Sequence, residues 1–416
     1  MTDHGRQRLS SWKEIATHLR REVRTVVRWE KERGLPVHRV PGGQGRSVFA
    51  FTDELDRWAA GESSKDVQAS SSSSLRIPPR VAVVAGMMIV IAIAAGLARA
   101  WSHQEIVEIK ILERSIEALD QDGEPRWTFD ANANLYPIFG RVSQVLDLTG
   151  DGHPEGLVTV AAAPRPHEPS TGLLYAFDEH GQVLWHRSLD DRLIYAADDF
   201  DPPWQPDDLM TFTNGGERFI AWSVHHTTWW PSMLAVFDAK GSRIGTFASA
   251  GWIRSSSPSV DGRHLITAGF SNSRNGAAFA ILDARNPSGS TPEEAGSPYE
   301  CRNCPAGRPL RYFVVEWSDV ASALPPDDRQ VVASVHPGTG TIELRARQRA
   351  NAELIVELSP SFQLRKRWTS DAFWEWHRRL EQNGTLTHGR DACPYRDGPI
   401  VREWTPTSGW KVHGSQ

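Results

Sequence analysis

The chain has 416 residues, 39% of them hydrophobic and 23% charged, with a formal net charge of −5. This is ordinary composition for folded protein with room for two or three domains, and it excludes a chain too polar to build a core. The charge is uneven: residues 1–60 carry 12 Lys/Arg against 8 Asp/Glu, a formal +4, which leaves −9 for the remainder.

The first informative stretch is "SSWKEIATHLRREVRTVVRWEKERGLPVHRV". Ser11 and Glu14 have the spacing of a capping box. Trp12, Ile15, Ala16 and Leu19 then follow as the apolar stripe of a helix. After "RRE" a second helix is predicted with Val23, Val26 and Val27 inward and Arg24, Arg28 and Lys31 together on the opposite face. Two short helices joined by a tight turn, the second with a cationic outer face, form a helix-turn-helix pattern. "VHRVPGGQGRSVFAF" reads as two short strands around a glycine-rich loop. "TDELDRWAAG" reads as a third helix that starts at Thr52 or Asp53, turns Leu55, Trp58 and Ala59 inward and stops at Gly61.

Helix, turn, helix, β-wing and helix within residues 1–60, carried by "SWKEIATHL", "VRTVVRWE" and "VFAFTDELDRW", resembles the MerR and excisionase type of winged helix-turn-helix DNA-binding domain. Double-stranded DNA is therefore the expected partner. Arg24, Thr25, Arg28 and Lys31 on the second helix would face the major groove, where arginine pairs bidentately with guanine. Arg20, Arg21, Arg39 and Arg46 in the turn and wing would meet phosphates.

Residues 61–80, "GESSKDVQASSSSSLRIPPR", have no apolar period and read as a flexible Ser/Pro-rich linker. Residues 81–98, "VAVVAGMMIVIAIAAGLA", contain no charge. At ~1.5 Å per residue they span about 27 Å, close to the hydrocarbon core of a bilayer. They lie too far from the start for a secretory signal and predict a single transmembrane helix. The basic segment before the span places the N-terminus in the cytoplasm, the chain in a bacterial inner membrane, and the C-terminal part outside.

Residues 105–416 change character. Most of the 17 tryptophans lie here, and short apolar runs end at glycine turns. "SIEALDQDGEPRWTF", "GLLYAFDEHGQVLWHRSL", "SMLAVFDAKGSRIGTF" and "FAILDARNPSG" share a strand–Asp–turn–strand pattern, with Asp120, Asp178, Asp238 and Asp283 equivalent. A unit recurring at roughly 40–60 residues predicts an all-β, β-propeller-like domain of about five to seven blades. The hairpins resemble the blades of quinoprotein-like and FG-GAP-type propellers. The fold class expected is thus multidomain: a small α+β winged helix-turn-helix, one transmembrane α-helix and a large β-propeller-like domain.

Within it, "DLTGDGHPEGLV" places Asp147, Thr149, Asp151, His153 (through its carbonyl) and Glu155 as alternating oxygen ligands with Gly152 at the bend. That is the pattern calcium requires, and a structural calcium ion is expected, with a metal-free Asx-type turn as the competing reading. The loop resembles those of FG-GAP repeats and departs from them at Thr149, where an acid or amide is usual. Cys301, Cys304 and Cys393 are disulfide candidates outside the membrane, in any of their pairings. The C-x-x-C spacing of the first two also occurs in redox and zinc sites. Asp198, Asp199, Asp201, Asp207 and Asp208 read as solvated acidic surface, and His225 and His226, adjacent on a strand, should point to opposite faces. "SDAFWEWHRRLEQNG" is expected to pack as a helix through Phe373, Trp376 and Leu380.

No G-x-S-x-G, H-E-x-x-H, Walker or dinucleotide fingerprint appears, and the expectation is a chain that is not an enzyme. The layout resembles membrane-bound one-component regulators of the ToxR and CadC kind, acting as homodimers on an unidentified outer ligand or protein. The alternatives are a surface binding or adhesion protein whose N-terminal module binds a cytoplasmic protein, and a membrane-anchored propeller enzyme.

Overall fold

The computed structural model describes residues 7–39, 48–60, 105–136, 138, 140–228, 230–324, 329–349 and 351–414. The chain divides into two compact units, Met1–Val90 and Ile91–Gln416. The predicted linker 61–80, the span 81–98 and Arg46 lie outside the described residues. Among the described residues no helix is long and apolar enough to cross a membrane.

In the first unit, helix α1 (Trp12–His18) begins at Ser11, whose hydroxyl accepts from the Glu14 N–H. The Glu14 carboxylate reaches back to the Ser10 N–H at 2.9 Å and the Ser11 hydroxyl at 3.0 Å. These bonds hold its pKa below the ordinary value. The α1 terminus closes with Arg20 N–H on the Thr17 carbonyl and Arg21 N–H on the Ala16 carbonyl. This Schellman arrangement puts Arg20 at φ 51°, where glycine is usual. Helix α2 (Val23–Arg33) follows and ends at Gly34. Arg8–Leu9 and His38–Arg39 flank Val48–Phe51 in an antiparallel sheet. Helix α3 (Thr52–Ala59) follows directly.

The core of this unit gathers Leu9, Ile15, Ala16, Val26, Leu35, Val48, Ala50 and Leu55. A fully buried Ile15 or Leu55 contributes roughly 1.5–3 kcal/mol each. Trp29 and Trp58 pack with ring centroids 5.5 Å apart, and the Trp58 indole N–H donates to the Arg33 carbonyl. Two residues depart from the predicted inward set: Val23 is 41% exposed and Ala59 is exposed. Val23 is the first residue of α2 and Ala59 the last of α3, each at a helix end beyond Val26 and Leu55, which reach the core.

Among its described residues the second unit is mostly β: five antiparallel meanders with the topology of propeller blades. There are also a separate two-stranded ladder of Leu193–Ile194 with Asp199–Phe200, and a short strand, Gly289–Ser290, that adds in parallel to Arg243–Ser249. The first sheet is Glu108–Ile111, Ser115–Leu119 and Pro125–Asp130. In the second, Asn134–Tyr136 and Ser143–Leu146 both pair with Glu155–Ala163, followed by Thr171–Phe177 and Val183–Arg187. The third runs Trp204–Asn214, Glu217–His226, Ser232–Asp238 and Arg243–Ser249. The fourth runs Gly251–Pro258, His264–Ser271, Gly276–Asp283 and Arg311–Glu316. The chain then leaves through helix α4 (Asp319–Ser322) to build the fifth sheet: Gln330–Val335, Ile342–Arg349, Ala352–Leu358 and Leu364–Thr369. It returns through helix α5 (Asp371–Gln382) to complete the fourth sheet with Val401–Thr405 and Gly409–His413. The fifth sheet is therefore inserted between two paired strands of the fourth.

The recurring aspartates have a structural reason. Asp120 Oδ1 accepts from the N–H groups of Asp122 and Glu124, Asp178 Oδ1 from His180 and Gln182, and Asp238 Oδ1 from Lys240 and Ser242, all at 2.7–3.0 Å. Each carboxylate thus closes one hairpin turn. The turn glycines also bind successive sheets together. A Cβ on Gly181 would fall 2.7 Å from the Trp127 ring, and one on Gly241 would fall 2.6 Å from the Trp185 ring. The tryptophan of one outer strand lies flat against the turn of the next sheet. A further copy of the turn, missed in the sequence, joins the last two strands of the fifth sheet. There Ser359 Oγ accepts from the Gln363 N–H, and Phe362 takes the glycine position at φ 63°. Asp283 keeps only the first of the two hydrogen bonds, to the Arg285 N–H, and its turn leads into residues 284–310.

Candidate functional site

The cationic face of α2 is present as read. Arg24, Arg28 and Lys31 are exposed along one side of the helix, and Thr25 is half-buried beside them. Arg28 approaches Glu32 at 3.8 Å across one turn, both side chains being well exposed, so the pair restrains it little. Arg20 and Arg21 are exposed in the turn before α2. Arg39 is drawn back onto Glu30 at 3.0 Å.

In the loop 147–155 the acidic groups are used as hydrogen-bond acceptors. The Asp147 carboxylate accepts from the Gly150 and Gly152 N–H groups, and Asp151 accepts from the His153 N–H. Glu155 is buried and accepts from the Leu148 and Thr149 N–H groups and the Thr149 hydroxyl. The His153 ring turns outward to Glu179 at 2.6 Å, tying the loop to the Asp178 turn.

Cys301 and Cys304 form a disulfide, so of the candidate pairings the three-residue loop is the one observed, and Cys393 is a separate buried thiol.

The acidic stretch is not uniformly solvated. Asp198, Asp199 and Asp201 are exposed, but Asp207 and Asp208 are buried, which corrects the reading of all five as surface. A bulge between Pro206 and Asp208 breaks the strand's alternation, so two consecutive carboxylates turn inward. Asp207 meets His225 Nδ1 at 2.7 Å and accepts from the Trp252 indole N–H at 2.9 Å. Burial raises its pKa, and these hydrogen bonds pull it partly back. Asp208 receives a two-pronged grip from the Arg141 guanidinium and accepts from the Arg141 and Ser256 N–H groups. Arg141 also donates to the Ser256 carbonyl at 2.8 Å. Asp208 thereby links the second, third and fourth sheets. Of the adjacent histidines, His225 is buried on Asp207, and His226 packs edge-on to Phe200 and Trp204. Beside this network lies a cleft of about 320 Å³ lined by Trp230, Trp252, Phe270, Trp317, Asn275 and Arg329.

One constellation was not read from the sequence. Asp319, His377, His388 and Cys393 each offer a ligand atom, and all four atoms lie within 4.8 Å of one another. His388 Nε2 stands 2.9 Å from Asp319 Oδ2 and 3.4 Å from His377 Nε2. His377 is 1% exposed and wedged beside Phe373 and Trp374; Cys393 is 5% exposed, and burial pushes its thiol up to about 11. His377 sits on α5, whose buried face is Phe373, Trp374, His377 and Leu380, with Trp376 only half-buried instead of inward as predicted. The spacing His-x10-His-x4-Cys in "HRRLEQNGTLTHGRDAC" was the available signal, but its fourth member lies before the whole fifth sheet.

No protein-family profile matches the chain, and no curated protein is similar to it. Solved structures are. The Dos1 propeller has 12% identity over 75% of this chain and 67% of its own, with a TM-score of 0.35. A cobalt-substituted apocarotenoid oxygenase from Synechocystis has 10% identity over 72% of this chain and 64% of its own, with a TM-score of 0.30. The β-propeller domain of the Trilobed protease from Pyrococcus furiosus has 12% identity over 66% of this chain and 93% of its own, with a TM-score of 0.22. Propellers thus stand among the similar structures, while the propeller-like description rests on the sheet topology itself. The expectation that the chain is not an enzyme is withdrawn: oxygenases and a prolyl endopeptidase are among the similar structures, and the absence of local motifs does not by itself exclude catalysis.

Proposed function

We propose that the chain is a membrane-anchored one-component transcriptional regulator. Its first unit binds double-stranded DNA as a winged helix-turn-helix, residues 81–98 anchor it in a bacterial inner membrane, and its β unit senses an extracytoplasmic ligand or protein. The observation that carries this reading is the exposed trio Arg24, Arg28 and Lys31 on the second helix of a two-helix turn. A short strand pair beside that helix completes the resemblance to the winged domains. Two such modules on adjacent half-sites gain over one through effective concentration, so the acting species is a homodimer.

The test is selection of binding sites from a random duplex library by the full chain in detergent, followed by gel shifts across salt. Binding should fall steeply with salt, and Arg24→Ala with Arg28→Ala should reduce it by at least about tenfold, since a good bidentate contact is worth ~1–3 kcal/mol. A periplasmic reporter fused after Trp101 should be active and the same reporter after Gly61 silent. Salt-insensitive binding that ignores both arginine substitutions would point instead to a protein partner for this unit.

A further inference from the structure

We propose that Asp319, His377, His388 and Cys393 form a structural binding site for one divalent zinc-like cation. Their donor set is two imidazole nitrogens, one sulfur and one carboxylate oxygen. Oxygen-seeking calcium and magnesium do not choose such ligands, whereas zinc takes Cys, His and carboxylate together in closed four-coordinate sites.

The local geometry asks for a cation. Two imidazole Nε2 atoms face each other at 3.4 Å, and a pair so placed shares at most one long hydrogen bond. Asp319 Oδ2 is sealed from solvent and, though 2.9 Å from His388 Nε2, makes no well-directed hydrogen bond. Leaving a buried polar group unsatisfied is costly, and a single ion satisfies all four donors at once. Zinc bond lengths of ~2.0–2.3 Å place tetrahedral ligands roughly 3.3–3.8 Å apart, within reach of the present separations. The supporting contacts are also in place: the Val320 N–H holds Asp319 Oδ1 at 2.8 Å, leaving Oδ2 to face the cluster.

The position explains what such an ion does. Asp319 opens α4, on the segment leaving the fourth sheet, while His377, His388 and Cys393 lie on the segment that returns to it. One ion ties the two crossings together at the base of the inserted fifth sheet. With every ligand supplied by protein, the site holds structure and leaves no coordination position for substrate.

The experiment is cobalt titration of the full chain in detergent after chelation and dialysis, watched by absorption and followed by zinc competition. The expected result is one equivalent bound with tetrahedral visible bands and a thiolate-to-cobalt charge-transfer band, both removed by zinc. Cys393→Ser should lose the charge-transfer band. His388→Gln, at a side chain 27% exposed, should weaken binding by at least about tenfold, the loss that even a supporting contact of a metal site gives. The Cys301→Ser, Cys304→Ser double variant should keep the spectrum, since those sulfurs belong to the disulfide. No binding at one equivalent, or a charge-transfer band that survives in Cys393→Ser, overturns the proposal. So does zinc affinity unchanged in His388→Gln, which separates a failed site from a misfolded cysteine variant.

Discussion

Asp207 and Asp208 are neighbours in the chain and do different work. Asp208 is 3% exposed and is held by Arg141 from the loop before Ser143–Leu146, so removing the guanidinium leaves a buried charge with only the backbone N–H groups of residue 141 and Ser256. Arg141→Met should lower stability to urea by about 3 kcal/mol, and the double change with Asp208→Leu by clearly less, because the second substitution removes the stranded charge. Asp207 titrates differently. Its carboxyl is raised from an ordinary 3.8, mainly by burial. The folded state therefore holds that proton more tightly than the unfolded chain. Relative to Asp207→Asn, the wild type should be strongest below the ordinary aspartate range and lose that margin as pH rises through the raised folded value. Urea midpoints of both proteins across the acid range check the sign. Neither role was legible in the sequence, where five clustered aspartates look like solvated loop. The bulge that turns two of them inward depends on pairing with Glu217–His226, which local pattern does not reveal.

At the level of the hairpin, local chemistry was readable wherever it kept its usual residues. Ser11 and Glu14 cap α1, and Asp120, Asp178 and Asp238 close their turns, because each acts on N–H groups within four residues. Asp178→Ala removes an acceptor from two N–H groups and should cost about 1–2 kcal/mol in thermal or urea unfolding. The fifth-sheet turn escaped notice because serine and phenylalanine replace aspartate and glycine there. Phe362→Gly would relieve a left-handed backbone worth ~1–2 kcal/mol. The ring, however, is 8% exposed and packs edge-on to His264 at 4.8 Å, and losing such a buried ring costs ~3–5 kcal/mol. Packing wins, and the variant should be the less stable protein. The loop 147–155 raises the same kind of contest. Its carboxylates already accept from loop N–H groups, and each keeps further lone pairs that a cation can use. We expect a higher melting temperature in excess calcium than in chelator, with the difference lost in Asp151→Ala, both read by circular dichroism.

Over the whole chain, the division into a basic helical unit and a β-rich one was legible from charge, apolar period and the repeating aspartates. The insertion of one sheet into another was not, since nothing local marks Val401–Thr405 as the partner of Arg311–Glu316. That pairing is signed by charge: Arg311 meets Glu403 and Glu316 meets Arg402 across the two strands. It also imposes an order in time. While a ribosome is still making the fifth sheet, Arg311–Glu316 waits as an open edge, with Phe313, Val314 and Val315 ready for another strand. Its two terminal charges are then its protection against pairing with a neighbouring nascent chain. A chain terminated after Gly398 should keep that edge open for good and collect in the pelleted fraction on sedimentation. The same truncated chain supplied with a peptide of residues 399–414 should stay in the supernatant. Late synthesis of the closing strands thus makes solubility a report on whether translation reached them.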